Sequence, residues 1–181
     1  RVAYPAPDPQ VISRRQFLKV GVLGAATLAL SSCLRTPSPR LDLGLQALDT
    51  DGAEIIGALA PVILAGALPA EGSARTQAIR EVVDAFDRAV LGMPPSVQSE
   101  IQQLLGLLAM TATRGPLTGI WRPMREATPE AIATFLEEWR RSRFDLLKAG
   151  YQALNQLTMA CWYGMAESWA ATGYPGPPRI S

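Results

Sequence analysis

Histidine is absent from this 181-residue chain. That removes the usual general base and the commonest metal ligand. No Ser-His-Asp or Cys-His nucleophile system can be assembled, and covalent haem attachment through C-x-x-C-H is excluded. Cysteine is nearly absent too. Cys33 and Cys161 stand far apart with no C-x-x-C companion, whereas zinc and iron–sulfur sites need more such ligands. Neither G-x-G-x-x-G nor G-x-x-x-x-G-K-[ST] occurs, so nucleotide binding has no local signal. Charged residues make up only 18% of the chain. Residues 1–32 hold four of the 17 basic side chains and one of the 16 acidic ones, which leaves a weakly acidic remainder of 13 basic and 15 acidic. Such a body, without a basic face, gives no reason to expect nucleic acid as a partner. Paired carboxylates such as Glu137 and Glu138 read as a solvated helix face, since two acids in sequence make no acid–base pair without a cleft.

What is present begins near the N-terminus. Ser13-Arg14-Arg15-Gln16-Phe17-Leu18-Lys19 reads S-R-R-x-F-L-K and is followed by the apolar run VGVLGAATLALSS over 20–32. The run is short of the roughly 20 apolar residues of a membrane span and matches the apolar stretch of a signal peptide. The motif resembles the twin-arginine export signal, and export signals of that kind serve proteins that fold before they cross. The competing reading is an amphipathic or core helix with an incidental arginine pair. Leu30-Ser31-Ser32-Cys33 then resembles a lipobox, whose cysteine is lipidated and becomes the mature N-terminus. Ordinary cleavage nearby, or a retained leader lying along the membrane or a partner, stays open beside it. Together these features predict a periplasmic, membrane-associated protein.

The rest of the chain reads as helices. Residues 34–48, with Pro37 and Pro39, form an extended linker. Asp49 or Thr50 caps the next helix, and EIIGALAPVILAGAL over 54–68 is apolar nearly all round. It is too short to span a bilayer and carries Pro61 midway, so it is expected to be a kinked, buried central helix. A helix over 74–91 carries Ile79, Val82, Val83, Phe86, Val90 and Leu91 on one face. A third runs over 95–112, and Thr113-Arg114-Gly115-Pro116 breaks the pattern. Thr128-Pro129-Glu130 opens a helix to about Arg141. The last, about 143–163, uses Phe144, Leu147, Tyr151, Leu154, Thr158, Cys161 and Trp162. Met110, Met124, Met159 and Met165 read as core filler. No segment alternates with period two. The expected fold is therefore all-α, a single bundle of about five helices over 49–164, preceded by a signal or anchor segment (1–33) and followed by an irregular aromatic and proline-rich tail over 165–181.

That tail, CWYGMAESWAATGYPGPPRIS from Cys161 onward, needs something to pack against. Either it folds back on its own bundle, or it anchors a partner, where Trp and Tyr are enriched. Trp162-Tyr163-Gly164, Ser168-Trp169 and Gly173-Tyr174-Pro175-Gly176-Pro177-Pro178 resemble the C-terminal signature of the small (gamma) subunits of periplasmic FAD-dependent dehydrogenases. These are the gluconate 2-dehydrogenase small-subunit family and its glucose, sorbitol and fructose dehydrogenase counterparts. The resemblance covers both ends of the chain and the helical middle only loosely. Met165-Ala166-Glu167 stands where an Asn-Pro-like turn belongs in that signature.

The resemblance implies a non-catalytic accessory subunit with no cofactor of its own. Its partners would be a large FAD-containing subunit of the glucose–methanol–choline type and, in some complexes, a multihaem cytochrome c. It would supply the export signal for the folded partner and remain bound, with Trp162, Tyr163, Trp169, Tyr174 and Pro175 near the contact. Cys33 or the leader would hold the complex at the membrane. Two other readings compete: an exported helical lipoprotein that binds a small apolar ligand, and an enzyme that uses carboxylates or tyrosines.

Overall fold

The computed structural model of the chain describes residues 44–176. The export-signal residues Ser13, Arg14, Arg15, Phe17, Leu18 and Lys19, as well as Cys33, lie outside the described residues, as do Pro177 and Pro178. Seven α-helices and one 3-10 turn make up the described part: α1 (Thr50–Ile63), α2 (Gly72–Leu91), α3 (Pro95–Ala109), α4 (Thr111–Thr118), the turn Met124–Glu126, α5 (Pro129–Arg140), α6 (Asp145–Tyr163) and α7 (Ala166–Thr172). No strand occurs among the described residues. The protein is all-α.

Helix α1 is the hub. It packs against α2, α3, α5, α6 and the 3-10 turn, which is why its sequence is apolar around nearly its whole circumference. Asp49 caps it, with Oδ1 accepting from Gly52 N–H at 2.8 Å. Pro61 lies inside the helix, which ends at Ile63 rather than running on to Leu68. Ile56 and Leu59 of α1, Phe86 and Val90 of α2, Leu108 of α3, Phe135 of α5 and Leu154 of α6 meet in the main core. A second cluster joins Ala60, Leu64 and Leu68 to Ala78, Val82 and Trp162. Phe135 and Trp139 meet edge to face, with ring centres 5.6 Å apart.

The expected linker has a structured end. Ala47 and Leu48 are buried in the main core. The backbone N–H groups of Gln46, Ala47 and Leu48 all donate to the carboxylate of Asp87, at 2.8–3.2 Å. The Gln102 side-chain amide donates to the Ala47 carbonyl at 3.1 Å. A buried carboxylate on α2 and an amide on α3 thus satisfy a strip of chain that has no regular structure of its own.

The break expected at 113–116 is instead inside α4. Arg114 accounts for it. Its side chain is buried, and its guanidinium donates to the carbonyls of Leu108, Ala109 and Ile120 and to Thr111 Oγ1. The three carbonyls lie at or just beyond the ends of α3 and α4, where helical partners run out. Burial draws the pKa of Arg114 below its ordinary value, and the charge of Asp51 opposes that shift. Gly119, at φ 72°, closes α4 by donating its N–H to the Gly115 carbonyl at 2.8 Å. Pro116 removes one bond from this short helix, while Thr118 Oγ1 bonds the Arg114 carbonyl and accepts from Ile120 N–H.

Candidate partner-binding surface

The C-terminal end of α6 carries the aromatic cluster. Leu154, Thr158 and Trp162 follow one another at spacings of four and face the core. Trp162 is 3% exposed and sits in the second cluster, covered by residues of α1 and α2. Its assignment to a partner contact is therefore corrected: the side chain is a core residue of this bundle. Tyr163, one position on, points about 100° away around the helix and is 42% exposed. Met159, four residues earlier on the same outward face, is exposed too rather than acting as core filler.

The following segment is not irregular, as expected from its sequence, but turns into α7. Gly164 makes the corner: a Cβ there would lie 2.9 Å from the Ala160 carbonyl oxygen. Met165 packs against the second cluster, and Ser168 is buried, with Oγ donating to the Met165 carbonyl at 2.8 Å. These contacts hold α7 against its own bundle.

Trp169 then links both exposed tyrosines. Its indole N–H donates to the Tyr163 carbonyl at 3.3 Å. Its own carbonyl accepts from Tyr174 N–H at 3.0 Å. Gly173 between them has φ 69°, so the helix closes with the long-range bond of a Schellman motif, for which the left-handed residue is glycine. The apolar contact that accompanies this motif is here an aromatic pair: Trp169 and Tyr174 meet edge to face, with ring centres 5.4 Å apart. Tyr174 remains 48% exposed and Pro175 is exposed beside it. Gly176 also passes close to the Trp169 ring, where a Cβ would come within 3.1 Å.

Of the five residues expected at the contact, Tyr163, Trp169 and Tyr174 form one assembly with Pro175 next to it, and Trp162 does not belong to it. The missed signal is legible in the sequence. Trp169, Gly173 and Tyr174 stand at the spacing of a helix C-terminus with its glycine and its apolar contact.

The site offers rings, a phenolic hydroxyl on each tyrosine and a thioether, and no nucleophile–base pair. Among the described residues, no group of three or more His, Cys, Asp or Glu side chains could hold a metal ion, and no helix is long and apolar enough to cross a membrane. What the arrangement can do is bind: prefixed aromatic rings offer contact area at low cost in conformational entropy. No family model, curated protein or solved structure matches the chain.

Proposed function

We propose that the protein is a non-catalytic accessory subunit. It escorts a folded FAD-dependent dehydrogenase through twin-arginine export and remains bound to it in the periplasm, using the Tyr163–Trp169–Tyr174 end of the bundle as its contact. The observation that carries this reading is that aromatic end: Trp169 holds the Tyr174 ring edge to face and bonds the backbone of Tyr163, and both tyrosine rings are substantially open to solvent. Exposed, pre-ordered Trp and Tyr are the residues that dominate protein interfaces. The S-R-R-x-F-L-K motif at 13–19 and the resemblance of the two chain ends to dehydrogenase small subunits support the same reading. In this proposal the flavin, and any haem c, belong to partner subunits, and the leader or a lipidated Cys33 keeps the complex at the membrane.

The test is affinity purification of the full chain from its native membrane, followed by a visible spectrum. Co-purifying oxidised-flavin absorption is expected. Changing Arg14 and Arg15 to lysine together should leave both the chain and the flavoprotein in the cytoplasm. A chain recovered without flavin, or a flavoprotein exported fully without it, overturns the proposal.

A further inference from the structure

A second exposed apolar feature lies away from the aromatic end, where α5 hands over to α6. Phe144, the residue that precedes α6, is 58% exposed, and Leu146 in its first turn is 79% exposed. Both side chains stand out into solvent at a corner of the bundle. The guanidinium of Arg143 lies over the Phe144 ring, 5.1 Å from its centre.

The charge around this corner differs from that of the remainder. Residues 137–148 hold four basic side chains (Arg140, Arg141, Arg143 and Lys148) and three acidic ones (Glu137, Glu138 and Asp145). The other described residues hold six basic and eleven acidic. Glu137 pairs with Arg140 and Arg141, and Lys148 lies 3.5 Å from Asp145. Arg143 has no carboxylate partner among the described residues. The corner carries a net charge of +1 where the other described residues carry −5, and it is tipped by two protruding apolar side chains with the exposed carboxylate of Asp145, partnered by Lys148, between them.

We infer that this corner seats on an anionic lipid surface, with Phe144 and Leu146 entering the boundary between headgroups and acyl chains and Arg143 meeting lipid phosphates. The chemistry fits a bilayer in three ways. Protruding apolar side chains need no shaped pocket there. A cation beside an aromatic ring matches the depth order of phosphate and acyl boundary. The remainder, at −5, is repelled by an anionic membrane, which favours approach by this corner. The contact is also the kind of second anchor that one lipid chain requires for stable attachment. The inference does not depend on a flavoprotein partner.

The test uses the full chain with vesicles of phosphatidylcholine alone or containing phosphatidylglycerol. The Phe144→Glu, Leu146→Glu double variant is compared with wild type and with Leu91→Glu, a change at an exposed leucine elsewhere. All three share the leader, so differences among them report the body. The double variant is expected to lose about tenfold in binding to the anionic vesicles, with an unchanged melting temperature. Leu91→Glu should bind as wild type does. Hydrogen exchange supplies a local readout: amides of residues 143–147 should become protected on anionic vesicles and not on neutral ones. Unaltered binding by the double variant together with no protection at 143–147 overturns the inference. So does loss of a protein partner by the double variant while vesicle binding and local protection persist, which would give the corner to an acidic protein surface instead.

Discussion

The carboxylate of Asp87 accepts the backbone N–H of Leu48 at 2.8 Å, across 39 positions of sequence. The same Oδ1 accepts Ala47 N–H at 2.9 Å. Asp87 is almost fully enclosed, so water cannot readily replace it as acceptor for these donors. Asp87→Ala is expected to cost about 2–4 kcal/mol, because it leaves buried N–H groups unpaired. Asp87→Asn keeps an oxygen acceptor and should cost less. Chemical denaturation measures both. Amide exchange at Ala47 and Leu48 should accelerate in the alanine variant well before the rest of the bundle opens, and unaltered exchange there would rule out the clasp.

Two glycines press on tryptophan rings, and burial decides how each tolerates a methyl group. At Gly150 a Cβ would lie 2.7 Å from Cζ3 of Trp139. That ring is buried, and its indole N–H donates to the Leu117 carbonyl at 2.8 Å. It has nowhere to move, so Gly150→Ala should destabilise by about 1–3 kcal/mol, even after the gain in helix propensity. At Gly115 a Cβ would lie 2.5 Å from the Trp121 ring. Trp121 is 63% exposed and can swing into water. Gly115→Ala should therefore change stability by less than about 1 kcal/mol, while altering tryptophan fluorescence. Equal losses at both sites would contradict the argument.

Cys161 titrates against burial. Its thiol is pushed up from 9.0 to about 11 by desolvation, with the charge of Arg88 pulling the other way. The folded state therefore holds its proton at pH values where the unfolded chain has lost it. The contribution is fully present below pH 9.0, declines as pH rises, and is gone above about pH 11. Subtracting the stability curve of Cys161→Ala from that of wild type should show a decline confined to that window. The native thiol should also react slowly with a thiol reagent at neutral pH and rapidly once unfolded. A pH-independent difference between the two curves would be the contrary result.

Trp169 ties Tyr163 to Tyr174. Trp169→Ala removes the ring contact and the bond to the Tyr163 carbonyl, so it should release Tyr174 and Pro175 while leaving the main core intact. A melting temperature lowered by only a few degrees, with flavoprotein association lost in pull-down, is expected. Trp162→Ala should do the reverse in emphasis, costing about 3–5 kcal/mol of stability as a core truncation. If Trp169→Ala retains full association, the aromatic end is not the contact.

Much of the architecture is legible in the sequence. Period-3.6 stripes placed the five longer helices. Thr128 accepts from Ala131 N–H as its position before Pro129 implied. The all-round apolarity of α1 marked it as the helix that touches the others. Tyr163 and Trp162 show where sequence alone is insufficient. Adjacent and aromatic, they suggest a shared partner surface, yet the helical period that places Leu154 and Thr158 inside puts Trp162 inside and Tyr163 out.

By itself the sequence determined the class: apolar stripes at helical spacing, capping residues and the lack of period-two segments leave an α-helical bundle as the only way to bury this much apolar surface. It also determined which chemistry is missing, since a side chain that is not encoded cannot be supplied by folding. Tertiary structure decided the rest. Helix α4 persists because Arg114 reaches carbonyls at the end of α3 and beyond α4, and residues 46–48 are fixed because Asp87 arrives from α2. Those partners lie where local propensity carries no information, and only packing α1 at the centre brings them within hydrogen-bond reach.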